Sequence, residues 1–137
     1  MNSLASKYNL RPGDSLITPI TLTGISKHYV VYVGNGMYME NHHIQGVQYV
    51  SEYQLMKRNK PIIKINRFTG SDIQRRHAIN RAHSLLGNPY DLITFNCEHF
   101  ANAVQSGFVR SKQVDTTIGI VSIIGLILLG YTVARST

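Results

Sequence analysis

The order of its local patterns is the feature that most constrains this sequence, because strand-like segments fill the first half and helical patterns fill the second. Gly34-Asn35-Gly36 separates two strand-like segments and is typical of the tight turn of a β-hairpin. Strands are predicted over residues 14–20, 27–33, 37–41, 46–50 and 61–66, with a short helical segment over residues 51–56. We therefore expect an α+β domain in which a meandering antiparallel sheet packs against helices.

Two longer helices are predicted after the strands. Ser71 and Gln74 form a capping-box pattern that opens a helix ending near Gly87. Asn96 is a suitable N-cap for a second helix, which should end at Gly107. On the first helix we expect a buried stripe of Ile73, Ala78, Ala82, Leu85 and Leu86, with Arg75, Arg76 and His83 mostly outward.

The single cysteine, Cys97, would lie in the first turn of the second helix. A lone thiol cannot form a disulfide within the chain. At a helix N-terminus, unpaired backbone N–H groups and the helix dipole favour the thiolate form of a cysteine. Most free cysteines are small buried hydrophobic residues, but this position favours a nucleophile, which is best kept reduced in the cytosol.

A thiol nucleophile needs a base, and the chain has six histidines. His42 and His43 adjoin a turn, and His77 and His83 have basic neighbours on the first long helix. His99 points away from Cys97 on the same helix. His28 remains, at the start of a strand whose alternation places it on the face of Val30 and Tyr32. From that face it could project toward a packed cysteine helix.

Asn96-Cys97-Glu98-His99-Phe100, about seventy residues after His28-Tyr29-Val30, resembles the lecithin:retinol acyltransferase family. The similarity covers roughly residues 10–112, and includes the Pro12-Gly13-Asp14 opening and the Ser111-Lys112-Gln113-Val114 segment. The family contains vertebrate phospholipase/acyltransferases and picornavirus members. The resemblance implies a circularly permuted papain-like fold, and it assigns the role of general base to His28.

Glu40 stands where the best-known family members have a second histidine, twelve residues after the base. A carboxylate can accept the imidazole N–H and stabilise the imidazolium, so we expect a catalytic triad of Cys97, His28 and Glu40. Glu40 could instead be a solvent-facing strand residue, and Asn41 is a weaker candidate for the third role. The backbone N–H of Cys97 is a natural donor for an oxyanion.

The formal charge of +7 is unevenly placed, because residues 57–81 contain eight basic residues and one acid. A basic face is expected, which suits anionic lipid headgroups or simply solvent. Nucleic acid is disfavoured because no aromatic-interleaved basic platform accompanies these charges. We expect no cofactor and no metal, since His42-His43 and one distant cysteine lack ligand spacing.

The C-terminal part of the sequence predicts membrane attachment. Residues 118–134 carry no charge, and these seventeen positions approach the ~17–25 that span a bilayer. We expect a catalytic domain over residues 1–115 and a single-pass C-terminal anchor over residues 116–137, with the catalytic domain in the cytosol. A buried core helix is the alternative for this segment.

Three function classes follow from these features. The leading hypothesis is a membrane-anchored, cysteine-dependent phospholipid acyl hydrolase or acyltransferase that forms an acyl-thioester on Cys97. Phospholipid as substrate rests partly on the resemblance, whereas membrane location rests on the C-terminal segment. The alternatives are a thiol peptidase or amidase of the same fold, and a non-catalytic interaction protein like the picornavirus members. The oligomeric state is left open.

Overall fold

The computed structural model describes residues 2–21, 23, 25–107, 111–116 and 118. Its elements are, in chain order, helix α1 (Leu4–Lys7), strands β1 (Ser15–Pro19), β2 (Lys27–Gly34), β3 (Met37–His42) and β4 (Gly46–Ser51), helix α2 (Glu52–Lys57), strand β5 (Lys64–Asn66), and helices α3 (Asp72–Ser84) and α4 (Cys97–Ser106). The α+β class is confirmed. Helix α1 was not predicted, and β5 is shorter than the predicted segment 61–66.

The sheet has five antiparallel strands in the order β4-β3-β2-β1-β5. The predicted hairpin joins β2 to β3, with Asn35 at φ 53° and Gly36 at φ 70°. Glycine and asparagine tolerate this left-handed backbone better than other residues. Strand β2, which carries His28, therefore lies at the centre of the sheet, beside the strand that carries Glu40.

Each face of the sheet has its own apolar core. Helices α3 and α4 cover one face, where the buried side chains include Tyr29, Val31, Met39, Ala78, Ala82, Phe100 and Val104. The N-terminal segment and the region of α2 cover the other, around Leu10, Leu16, Val30, Tyr32 and Tyr38. The alternation of β2 thus puts Val30 and Tyr32 on the face opposite to the helix of Cys97. His28, at the start of the strand, nevertheless contacts Cys97, as the sequence predicted.

The predicted buried stripe of α3 is correct at its centre and wrong at its ends. Ala78 and Ala82 are fully buried against α4, but Ile73 is 59% exposed and Leu86 is 48% exposed. Arg75 points inward instead, donating to the carbonyl oxygens of Pro12 at 2.6 Å and Phe68 at 3.0 Å. Tertiary hydrogen bonds override the helical pattern at this position.

The basic residues between positions 57 and 81 are partly engaged in contacts within the fold. Half of the eight have partners inside the fold: Arg58 with Glu40, Arg67 and Arg75 with the buried Asp14, and Arg81 with backbone carbonyls of α4. The fold thus uses the charge of these arginines to balance buried carboxylates and to cap a helix, and the expected basic face stays a prediction.

Two sequence-based expectations lie beyond these elements. Apart from residues 116 and 118, the predicted anchor over residues 116–137 falls outside the described residues. Within the described part of the chain, no helix has the length and apolar character needed to cross a membrane. The circular permutation implied by the resemblance stays a prediction.

Candidate active site

Helix α4 begins with a capping arrangement around the candidate nucleophile. The Asn96 side chain accepts the backbone N–H groups of Glu98 at 2.9 Å and His99 at 3.1 Å. In return, His99 Nδ1 accepts the N–H of Asn96 at 3.1 Å, so this histidine has a structural role. Among the described residues the N–H of Cys97 has no acceptor. A free N–H at this position can stabilise an oxyanion.

Cys97 and His28 meet at the start of β2. Cys97 is 5% exposed, and its thiol donates to the backbone carbonyl of Lys27 at 3.6 Å. Burial alone would lower the pKa of His28, but hydrogen bonding and charge from Cys97 and Glu40 outweigh burial and raise it to about 9. Although the two side chains start from opposite faces of the sheet, the end of the strand lets them interact. The arrangement places the imidazole beside the thiol, where it can accept the thiol proton.

Glu40 is the second side-chain partner of His28. Its carboxylate is fully buried and lies 2.6 Å from His28 Nε2. Burial alone would raise the pKa of Glu40, but hydrogen bonds from Arg58, His28 and Gln48 hold it well below its usual range. Glu40 is therefore an ionised, buried partner of the imidazole, and the solvent-facing alternative is wrong.

Two residues that support Glu40 were not found from the sequence. Arg58 donates to the carboxylate with both terminal nitrogens, at 2.6 and 2.7 Å, and Gln48 donates at 2.9 Å. Gln48 lies directly opposite Glu40 in the β3–β4 register, so the hairpin pairing could have identified it. No local pattern points to Arg58, which follows α2 and reaches back across the sheet.

The other candidates near Glu40 have different partners. Asn41 donates to the carbonyl of Phe95 at 2.7 Å, which holds the loop that precedes Cys97. His42 Nδ1 accepts the N–H of Ile44 at 3.2 Å within a turn. Neither of these two contacts makes Asn41 or His42 the partner of His28. Within the described residues, no group of three His, Cys, Asp or Glu side chains could hold a metal ion.

Two cavities adjoin the cysteine and the histidine. Cys97 lines a cavity of about 510 Å³ whose walls are mainly apolar and include Ile20, Tyr90, Leu92, Ile93, Val114 and Ile118. His28 lines a second cavity of about 240 Å³, where Arg58 and Lys60 stand beside apolar side chains such as Leu16, Val30 and Leu55. Cys97 therefore faces a mainly apolar space, which Lys27 also lines. His28 faces a space lined by Arg58 and Lys60 as well as apolar side chains.

Comparison with known proteins identifies the family of this chain. The family model described as lecithin retinol acyltransferase matches residues 8–110, which is most of the chain. The human protein named phospholipase A and acyltransferase 2 is 31% identical over 138 aligned positions, which cover 80% of this chain and 83% of the relative. The matched region contains the whole sheet, His28, Glu40 and Cys97. The chain belongs to the lecithin retinol acyltransferase family.

Proposed function

We propose that this protein is a cysteine-dependent acyl hydrolase or acyltransferase acting on phospholipid esters. In this proposal Cys97 is the nucleophile, His28 the general base and Glu40 the carboxylate that orients the imidazole. The contact chain from the Cys97 thiol through the His28 ring to the buried Glu40 carboxylate carries the proposal. Family membership and the similar human protein, whose name includes phospholipase A and acyltransferase, support the reaction class.

The proposed reaction begins with transfer of the Cys97 proton to His28. The thiolate attacks the ester carbonyl, and the resulting oxyanion is stabilised by the backbone N–H of Cys97. Collapse of the intermediate breaks the ester C–O bond, and the His28 imidazolium protonates the departing alcohol. The acyl group is then a thioester on Cys97. Water or an alcohol or amine acceptor attacks it while His28 takes the proton, which regenerates the thiol after the second collapse.

Glu40 has a specific part in these steps. Its carboxylate lies against Nε2, so it fixes the ring and stabilises the positive charge that His28 gains. Arg58 and Gln48 keep the carboxylate ionised and in place. Arg58 and His28 bind the same carboxylate oxygen of Glu40. The permanent charge of Arg58 therefore limits how strongly Glu40 attracts the imidazolium.

The cavities suit the two ends of a phospholipid. The apolar cavity beside Cys97 has room for part of an acyl chain. The cavity beside His28 contains Lys60, whose charge favours a phosphate group. In the proposed orientation the acyl chain lies on the cysteine side and the departing headgroup fragment lies on the histidine side.

A membrane location is the second half of the proposal. The mouth of the Cys97 cavity carries exposed apolar side chains, including Leu92 at 69% and Ile93 at 60% exposure. Such a surface suits contact with lipid rather than with water. We include in the proposal a single-pass anchor over residues 116–137, motivated by the uncharged segment 118–134, with the catalytic domain on the cytosolic side.

Mass spectrometry of the full-length protein after incubation with phosphatidylcholine vesicles tests the proposal. An added mass equal to one acyl group, mapped to Cys97 and removed by hydroxylamine, is the expected result. The Cys97→Ser and His28→Ala variants should lack this adduct, whereas His43→Ala serves as a folded control that retains it. Absence of any adduct and of product release would refute the proposal. Cleavage of a peptide or amide substrate without lipid turnover would support the thiol peptidase alternative.

A further inference from the structure

The segment at residues 111–116 docks onto a buried carboxylate next to the candidate nucleophile. Glu98, which follows Cys97 in α4, is 4% exposed. It accepts hydrogen bonds from the Ser111 hydroxyl and, at 3.0 Å, from the backbone N–H of Gln113. Tyr29 donates to its other oxygen at 3.2 Å. These donors offset the cost of burying the carboxylate, and they bind the segment to the cysteine helix.

Gln113 also contacts the strand of the candidate base. Its side-chain oxygen accepts the backbone N–H of Lys27 at 3.1 Å, and the side chain also hydrogen-bonds to Glu98. The carbonyl of the same Lys27 accepts the Cys97 thiol. The pairing of β2 with β3 does not extend to Lys27, whose N–H and C=O have these two partners instead. Gln113 therefore connects the residue after Cys97 with the residue before His28.

This connection matters because the helix and the strand are separate elements. The core under α4 contacts one face of β2, while His28 starts from the other face. The relative position of thiol and imidazole thus depends on contacts at the end of the strand. A displacement of about 1 Å between reacting groups can cost on the order of a hundredfold in rate.

We infer that Gln113 is a positioning residue, which sets the separation of Cys97 and His28 by bridging Glu98 and the backbone of Lys27. This inference rests on the proposed function of the Cys97–His28 pair. It gives a role to the Ser111-Lys112-Gln113-Val114 segment, because Ser111 anchors the segment to Glu98 and Gln113 extends the anchor to the strand. Gln113 also lines the Cys97 cavity, but the inferred role depends on its contacts with Glu98 and Lys27.

The test uses full-length Gln113→Met, which keeps the side-chain length but removes both hydrogen bonds. Turnover is measured on a dispersed short-chain ester, so that membrane binding does not limit the rate. We expect kcat to fall about tenfold with KM within about twofold, since positioning affects the reaction more than binding. The alkaline limb of kcat, assigned to His28 at a pKa of about 9, should move to lower pH as His28 loses its contact with Cys97. Lys112→Met is the matched control, because Lys112 is exposed and adjacent, and it should retain the wild-type profile.

Two further measurements keep the test decisive. Ser111→Ala weakens the same docking contact and should lower kcat in the same direction by a smaller factor, which covers the case in which Gln113→Met does not fold. The pH profile of iodoacetamide alkylation at Cys97 needs no substrate. It should show the shifted His28 inflection in Gln113→Met even if the wild-type protein forms no acyl adduct, so failure of the proposed function is distinguishable. A folded Gln113→Met or Ser111→Ala protein with wild-type kcat and wild-type pH profiles would overturn the inference.

Discussion

Arg58 holds the carboxylate of Glu40 with both terminal guanidinium nitrogens, at 2.6 and 2.7 Å, while His28 binds the same carboxylate at 2.6 Å. The carboxylate is fully buried, whereas the guanidinium side chain is 36% exposed. A buried anion is therefore compensated by one permanent cation and by one titratable cation. The permanent cation keeps Glu40 ionised whatever the protonation state of His28.

Removal of Arg58 should destabilise the fold. Arg58→Ala leaves the Glu40 charge buried with fewer partners, and we expect a loss of about 2 kcal/mol in the free energy of unfolding, reduced by the partial exposure of the arginine. Urea denaturation at pH 7 measures this loss. Arg76→Ala is the control, since Arg76 is exposed, and it should change the stability by less than ~0.5 kcal/mol. Equal stability of the two variants would contradict the structural role of Arg58.

Replacement of Glu40 should shift the pH dependence of activity without abolishing the reaction. Glu40→Gln removes one of the two groups that raise the pKa of His28, so the alkaline limb of kcat/KM should move from about 9 to lower pH while measurable activity remains. His28→Ala should retain almost no activity. His42→Ala and His43→Ala should remain near wild type, and a large loss in either would contradict the assignment of the base.

The raised pKa of His28 also predicts how stability depends on pH. The pKa is about 9 in the folded protein and ~6.5 in the unfolded chain. Folding is therefore favoured by proton binding, with the full contribution below about pH 6.5 and none above about pH 9. The contribution is at most about 3 kcal/mol. The difference in unfolding free energy between wild type and His28→Gln should shrink from pH 6 to pH 10. A difference that grows over this interval would contradict the raised pKa of His28 in the folded protein.

The apolar rim of the Cys97 cavity should matter only on membranes. Ile93→Asn removes a 60% exposed apolar side chain from the cavity mouth, and we expect reduced activity on phospholipid vesicles with little change on a dispersed short-chain ester. Ile73 is the matched control, because it is 59% exposed on α3 and does not line this cavity. An equal fall of vesicle turnover in Ile73→Asn would show that the loss does not depend on the rim of this cavity.

The proposed anchor can be separated from the site by truncation. A chain ending at residue 118 keeps Ser111 and Gln113, so it should hydrolyse a dispersed ester but lose most activity on bilayers, where an anchor raises the local substrate concentration. A chain ending at Lys112 lacks Gln113 and should lose activity on both substrates. Release of the full-length protein from membranes by alkaline carbonate would contradict the anchor.

Much of the secondary structure and part of the site follow from local sequence. The β2–β3 hairpin depends on the Asn35-Gly36 turn, and the start of α4 depends on the Asn96 cap. Cys97 could be placed in the first helical turn for the same reason. The resemblance assigned the role of base to His28. The position of Glu40, twelve residues later, indicated it as the third residue of the triad.

The unpredicted contacts of Arg58, Arg75 and Gln113 join residues far apart in the chain. Arg58 and Glu40 are 18 positions apart, Arg75 and Asp14 are 61 apart, and Gln113 and Lys27 are 86 apart. No turn, cap or periodic pattern encodes such pairs, because they depend on which elements pack together. The misplaced stripe on α3 has the same origin, since Arg75 turns inward to the carbonyl oxygens of Pro12 and Phe68.

The sequence by itself determined the order of strands and helices, the turn between β2 and β3, and the capped helix that begins at Cys97, because short-range backbone and capping interactions control these features. Tertiary structure alone decided how the thiol meets the imidazole at the end of β2, how Arg58 balances Glu40, and how Gln113 links the two elements. These contacts form only when burial removes water from charged and polar groups, so that each must find its partner within the fold.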